Sequence, residues 1–175
     1  VGNAGSARVN GVEAELLTRP MSGLELFANY SYQDGKYKNL VLEGADFTGN
    51  HMIFTPSHTL TSGFTYTADL GGSSLVLDGD VMFRSRNYFT VDNDTEQSNK
   101  YRGLVNGSVT YNFPGDQWSL QFWAKNLTNI RQRANVGTFD ALFAIPAADF
   151  FAGNAAYSGR YIEPRTWGAT LRFNM

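Results

Sequence analysis

Leu24-Glu25-Leu26-Phe27-Ala28-Asn29-Tyr30-Ser31-Tyr32 sets Leu24, Leu26, Ala28, Tyr30 and Tyr32 against Glu25, Phe27, Asn29 and Ser31. Successive side chains take opposite faces only in extended chain, so a period of two predicts a half-covered β-strand. The same pattern recurs outward from this stretch. Over 59–68, Leu60, Phe64, Tyr66 and Ala68 oppose Thr59, Thr61, Thr65 and Thr67. From Leu75, the face Leu75, Leu77, Gly79, Val81, Phe83 opposes Asp78, Asp80, Met82, Arg84 and Arg86. Segment 101–111 sets Tyr101, Val105, Val109 and Tyr111 against Arg102, Asn106, Ser108 and Thr110. Then come Trp118, Leu120, Phe122, Ala124 against Ser119, Gln121, Trp123, Lys125, and Trp167, Ala169, Leu171, Phe173 against Thr166, Gly168, Thr170, Arg172. A weaker version near the start has Val12, Ala14 and Leu16 opposite Glu13, Glu15 and Leu17. About seven strands result, all of about the length that crosses a bilayer when tilted.

The links between strands carry the second signal. Pro20-Met21-Ser22-Gly23, Asp69-Leu70-Gly71-Gly72 and Phe113-Pro114-Gly115-Asp116 are short and made of turn residues, Pro presetting φ and Gly accepting φ > 0. Between them lie long segments at 34–57, 90–100 and 127–163. Short and long therefore alternate, as periplasmic turns and extracellular loops do in a membrane barrel. Tyr30, Tyr32, Tyr88, Phe89 and Tyr101 adjoin the long segments, while Tyr111, Trp118 and Phe173 adjoin the short ones or the end. Rings at both rims suit the headgroup belts of a bilayer, although aromatics also favour strands anywhere.

Composition bounds the remaining classes. The 175 residues have 17% charged residues, a formal net charge of −2 and no Cys, so neither a basic surface for nucleic acid nor a thiolate metal site is expected. Mean hydropathy is −0.30, and no run of apolar residues is long enough for a transmembrane helix. Val1-Gly2-Asn3-Ala4-Gly5-Ser6 has no basic region or apolar core, so an export signal is expected upstream. Periodicity alone does not say whether the apolar face meets lipid or a core. Asp78, Asp80, Arg84, Arg86, Arg102, Lys125 and Arg172 are candidate lumen-facing charges, able to pair across strands. Phe27 and Trp123, large residues on the polar face, suggest packing against something inside, or a local bulge.

His51 and His58 stand outside any ligand cluster and read as surface histidines ahead of haem or metal ligands. Asp92-Asn93-Asp94-Thr95-Glu96 has oxygen ligands for Ca²⁺ but lacks the glycine and length of an EF-hand loop, so it reads as a solvated tip. Phe139, Phe143, Phe150, Phe151 and Tyr157 lie in a long apolar loop and are candidates for loop packing first and ligand contact second. Asn126-Leu127-Thr128 is formally a glycosylation sequon. No catalytic residues, metal site or cofactor are expected, and the chain is not expected to be an enzyme.

The end of the chain reads Thr166-Trp167-Gly168-Ala169-Thr170-Leu171-Arg172-Phe173-Asn174-Met175. Thr166, Gly168, Leu171 and Phe173 resemble the signal that the outer-membrane barrel-assembly machinery reads on a last strand. The usual signal ends on its aromatic residue, whereas Asn174 and Met175 follow here. Gly11-Val12-Glu13-Ala14-Glu15-Leu16 with Arg19-Pro20 and Leu24-Glu25-Leu26 is similar to a late hairpin of TonB-dependent receptors. Thr55-Pro56-Ser57-His58-Thr59-Leu60, Lys125-Asn126-Leu127-Thr128-Asn129 and Glu163-Pro164-Arg165-Thr166-Trp167-Gly168 follow in that family's order.

That resemblance implies an all-β fold: the last seven or so strands of an antiparallel transmembrane barrel of the 22-stranded type. Residues 1–175 are then a partial barrel, with the plug domain and TonB box expected outside this chain. The family's location is the bacterial outer membrane. Its function is TonB-coupled import of a siderophore, haem, cobalamin or glycan. The implied partners are outer-membrane lipid, the TonB complex through the N-terminal part, the assembly machinery and a small-molecule ligand, with no nucleic acid. A pore or structural barrel without TonB coupling is the second reading, and a soluble β-barrel or sandwich binding module the third.

Overall fold

The computed structural model describes residues 5–99, 103–115, 117–138 and 157–174. Seven strands form one antiparallel sheet: β1 (Ala7–Met21), β2 (Leu24–Tyr37), β3 (His58–Asp69), β4 (Ser74–Arg84), β5 (Leu104–Asn112), β6 (Trp118–Lys125) and β7 (Thr166–Phe173). Each pairs with its neighbour in the chain, an up-and-down meander with β1 and β7 at the edges. The register carries each face across the sheet. Leu24, Tyr66, Leu77, Val109, Phe122 and Ala169 are successive partners in one row, and Glu25, Thr65, Asp78, Ser108, Trp123 and Gly168 in the next. A slip of one residue in any strand would put its apolar side chains among the polar ones.

Neither face of this sheet is covered by a second layer among the described residues. Their buried apolar side chains are Leu40, Phe89 and Val136, all in the connections, and no large side chain is fully buried. The apolar face stands open instead, with Trp167 80%, Val12 66% and Leu171 63% exposed. A soluble sandwich would bury that face between two sheets. An outward apolar band on a single curved wall is the arrangement of a membrane barrel, where lipid replaces the core.

Several sequence expectations shift in detail. β1 runs 15 residues, well beyond Val12–Leu17, because pairing with β2 continues through Gly11 and Asn10, where hydropathy gives no alternation. Pro20 lies inside β1 rather than in the turn, at a register shift between Thr18 and Met21. Proline has no N–H for the ladder, so a bulge is where a strand admits it. The turn itself is Ser22-Gly23, with Gly23 at φ 77°. β4 ends at Arg84, which leaves Arg86 in the following loop rather than on the strand face. β5 begins at Leu104, and Tyr101 and Arg102 lie outside the described residues. The long links contain short pairs of their own: Val41–Leu42 with Ala45–Asp46, Asn87–Tyr88 with Ser98–Asn99, and Arg133–Thr138 with Tyr157–Tyr161.

Candidate functional site

The polar face of the sheet is a hydrogen-bonded surface. Asp78 accepts from Thr65 Oγ1 at 2.8 Å and from Ser108 Oγ at 3.1 Å, and Gln121 Nε2 donates to the same Ser108 oxygen at 3.2 Å. Asp80 accepts from Asn106 Nδ2 at 2.8 Å. Among the described residues the expected cross-strand ion pairs do not form. The ion pairs among the described residues are Arg19–Glu25 and Lys36–Asp34, and the two aspartates of β4 are satisfied by hydroxyl and amide donors. Lys125 Nζ lies 5.9 Å from the Trp123 ring, Arg172 faces Ser119 across β6–β7, and Arg84 faces Thr59 across β3–β4.

Phe27 and Trp123 do project from this face, and no bulge is needed to place them. Each lies over a glycine of the next strand. A Cβ on Gly63 would meet Phe27 Cε1 at 2.8 Å, and one on Gly168 would meet Trp123 Cζ2 at 2.6 Å. Trp123 also donates from Nε1 to Thr170 Oγ1 at 3.3 Å. Gly168 and Thr170 of β7 are thus packing partners of β6. Leu171 projects from the apolar face, and the Phe173 ring meets Trp118 at 4.6 Å between centroids. Thr166 pairs with Lys125 at the opposite end of the strand.

At the loop end, His58 sits between two rings of the apolar face: its Nδ1 lies 2.8 Å from the Tyr30 hydroxyl, and its ring centroid 5.1 Å from that of Tyr32. Beyond it the long connections hold one another. Asn93 donates from Nδ2 to the His51 carbonyl at 2.9 Å and accepts from the His51 N–H at 2.7 Å. The His51 ring stacks on Tyr88, and Phe54 meets the buried Phe89. Asn99 donates to the Arg133 carbonyl, and Arg133 Nη1 donates to the Glu96 carbonyl at 2.6 Å. All three long connections therefore meet, the first with the second and the second with the third.

Within the acidic stretch, Asp92 and Asp94 accept from backbone N–H groups two residues on, so their carboxylates organise the turn. No group of three His, Cys, Asp or Glu able to hold a metal occurs among the described residues. In the first connection, hydrogen bonds from the Thr48 side chain and backbone hold the Asp46 carboxyl below the usual carboxylate range. Phe139, Phe143, Phe150 and Phe151 lie outside the described residues. Tyr157 begins the strand that returns from them, its backbone paired with Thr138.

The role of Asn126 was hidden in the sequence. Only 5% exposed, it donates from Nδ2 to the carbonyls of Ile130 at 2.9 Å and Glu163 at 3.0 Å. Its Oδ1 accepts from Ile130 N–H at 2.9 Å, and its own N–H donates to Asn106 Oδ1 at 3.1 Å. Asn129 Oδ1 accepts from Arg165 N–H at 3.2 Å, and Arg165 Nη1 donates to the Leu127 carbonyl at 3.4 Å. The two motifs, 126–129 and 163–165, form a clip that closes the base of the longest excursion. Asn126 and Asn129 have φ of 50° and 52°, a backbone state asparagine tolerates better than most residues. A buried amide with all these bonds is no site for a glycan.

Comparison with known proteins agrees with this architecture. The family described as TonB dependent receptor-like, beta-barrel matches residues 1–127. The ferric-pyoverdine M114 receptor PbuA of Pseudomonas sp. (strain M114) is 28% identical over 141 residues, which is 78% of this chain and 16% of that protein. The chain thus spans about a sixth of the length of that relative. The ferric yersiniabactin uptake receptor FyuA from Yersinia pestis superposes with a TM-score of 0.79 at 19% identity, over 98% of this chain and 24% of that one. The siderophore receptor PiuA from Acinetobacter baumannii gives 0.73 at 19% identity, over 98% and 22%. At these identities the two structures speak for the fold.

Proposed function

The chain belongs to the TonB-dependent receptor β-barrel family of the bacterial outer membrane, and on that premise we propose that it forms the C-terminal wall of a receptor importing a ferric siderophore. The carrying observation is the pairing of an uncovered apolar face, suited to lipid, with a hydrogen-bonded polar face and three interlocked connections at one end. The similarity to PbuA, named for a ferric siderophore, favours that cargo over haem, cobalamin or glycan.

In this reading the short turns lie in the periplasm and the long connections outside the cell. Phe27, Trp123, Asp78 and Asp80 offer a mixed apolar and polar surface against which a plug domain can pack. Energy for transport comes through TonB acting on the upstream part of the protein. Thr166, Gly168, Leu171 and Phe173 present the last strand to the assembly machinery, β7 supplying the open edge that closes the barrel.

The test is uptake of radioactive iron by an iron-starved strain that lacks its own siderophore receptors and carries the complete gene. A panel of ferric siderophores should include at least one that is taken up, and deletion of tonB should abolish that uptake. Uptake indifferent to tonB, together with steady ion conductance in planar bilayers, would instead establish a pore.

A further inference from the structure

Where the second and third connections meet above the polar face, a recess of ≈ 190 Å³ remains. Arg84, at the end of β4, and Arg133, at the base of the third connection, both line it. Asn87, Asn99 and Gln132 complete its polar wall. We propose that this recess binds an anionic oxygen group, a carboxylate or phosphate carried on one arm of the imported chelate. The proposal rests on the receptor reading above.

Two arginines line this space, and none of the described residues lining it is an acid. Arg133 is held in place by its bond to the Glu96 carbonyl, and its backbone carbonyl is held by Asn99. One donor of that guanidinium is thereby used, and no other partner for it is found among the described residues. The Arg84 guanidinium has no ion pair or hydrogen bond among the described residues. Planar, always charged donors favour carboxylate and phosphate, which they can meet through paired N–H groups.

Size sets a further limit. Whole small-molecule sites run from roughly 300 to 1,000 Å³, so this recess takes one arm rather than a whole chelate.

The experiment uses the purified complete receptor and two probes, citrate and inorganic phosphate. Phenylglyoxal modification, read peptide by peptide by mass spectrometry, should be slowed at Arg84 and Arg133 by citrate and left unchanged at Arg19 and Arg165. Calorimetry should give citrate binding that weakens about tenfold in Arg84→Gln and in Arg133→Gln, the loss expected for one charged contact. Protection by phosphate alone assigns the site to phosphate. Equal reactivity at all four arginines with and without every probe overturns the proposal. Siderophore uptake is measured alongside. Uptake without anion protection removes the recess and leaves the transporter, whereas protection without any TonB-dependent uptake does the reverse.

Discussion

Trp123 lies over Gly168 so closely that a methyl group there would come within 2.6 Å of the indole. A single alanine should expose this dependence. In Gly168→Ala the indole must move, giving up its bond to Thr170, at an overpacking cost of about 1–3 kcal/mol. The expected outcome in the complete receptor is less of the heat-modifiable, folded band on gel electrophoresis. The double variant Trp123→Ala with Gly168→Ala should recover it. Failure of the double variant would mean that Gly168 matters to assembly for a reason other than this packing.

Asn126→Asp keeps the acceptor that Ile130 N–H uses and removes the two donors to Ile130 and Glu163. Unpaired buried carbonyls cost roughly 1–3 kcal/mol each, and a carboxylate would also face them. Limited proteolysis should cut the 126–165 excursion faster, while hydrogen exchange in β1–β4 stays as before. Unchanged cleavage would show that the clip does not hold the excursion.

Asn93→Ala removes both bonds that join the second connection to the backbone of His51. Two such bonds contribute on the order of 1–3 kcal/mol together. Amide exchange at His51 should rise, and so should exchange at Phe54, whose N–H donates to the Tyr88 carbonyl at 3.0 Å. A rise confined to Asn93 and its neighbours would mean that the two connections move independently.

Phe173→Ala takes away the ring that meets Trp118 at the turn-side rim. Assembled receptor in the outer membrane should fall severalfold by surface labelling, with the unassembled chain degraded or retained. Trp118→Ala serves as the control. An equal fall there would assign the effect to the ring pair, and a smaller one to Phe173 as part of the terminal signal.

The strands and their faces were legible because each bilayer-crossing segment repeats with a period of two and is bounded by Gly, Pro or Asp. Reading failed where pairing continues without hydropathic contrast, as in β1 through Asn10 and Gly11, and where Pro20 resembled a turn residue but occupies a bulge. Asp78, Asp80 and Arg84 do share one face of β4, yet the partners of the two aspartates were misjudged. Ser108 and Asn106 lie 30 and 26 residues away in sequence, and no local rule brings them opposite Asp78 and Asp80. Asn126 was visible as part of a motif, but its work is to join segments 37 residues apart, which only the register of β6 on β7 reveals.

Strand length falls from 15 residues in β1 to eight in β6 and β7, and the register places the surplus at the loop end. The wall therefore has a parapet on one side and a notch on the other. The longest excursion of the chain leaves and returns at the notch, clamped at its foot by Asn126 and Asn129. Those few side-chain bonds do at the notch what longer strands do on the other side, fixing where the chain leaves the sheet.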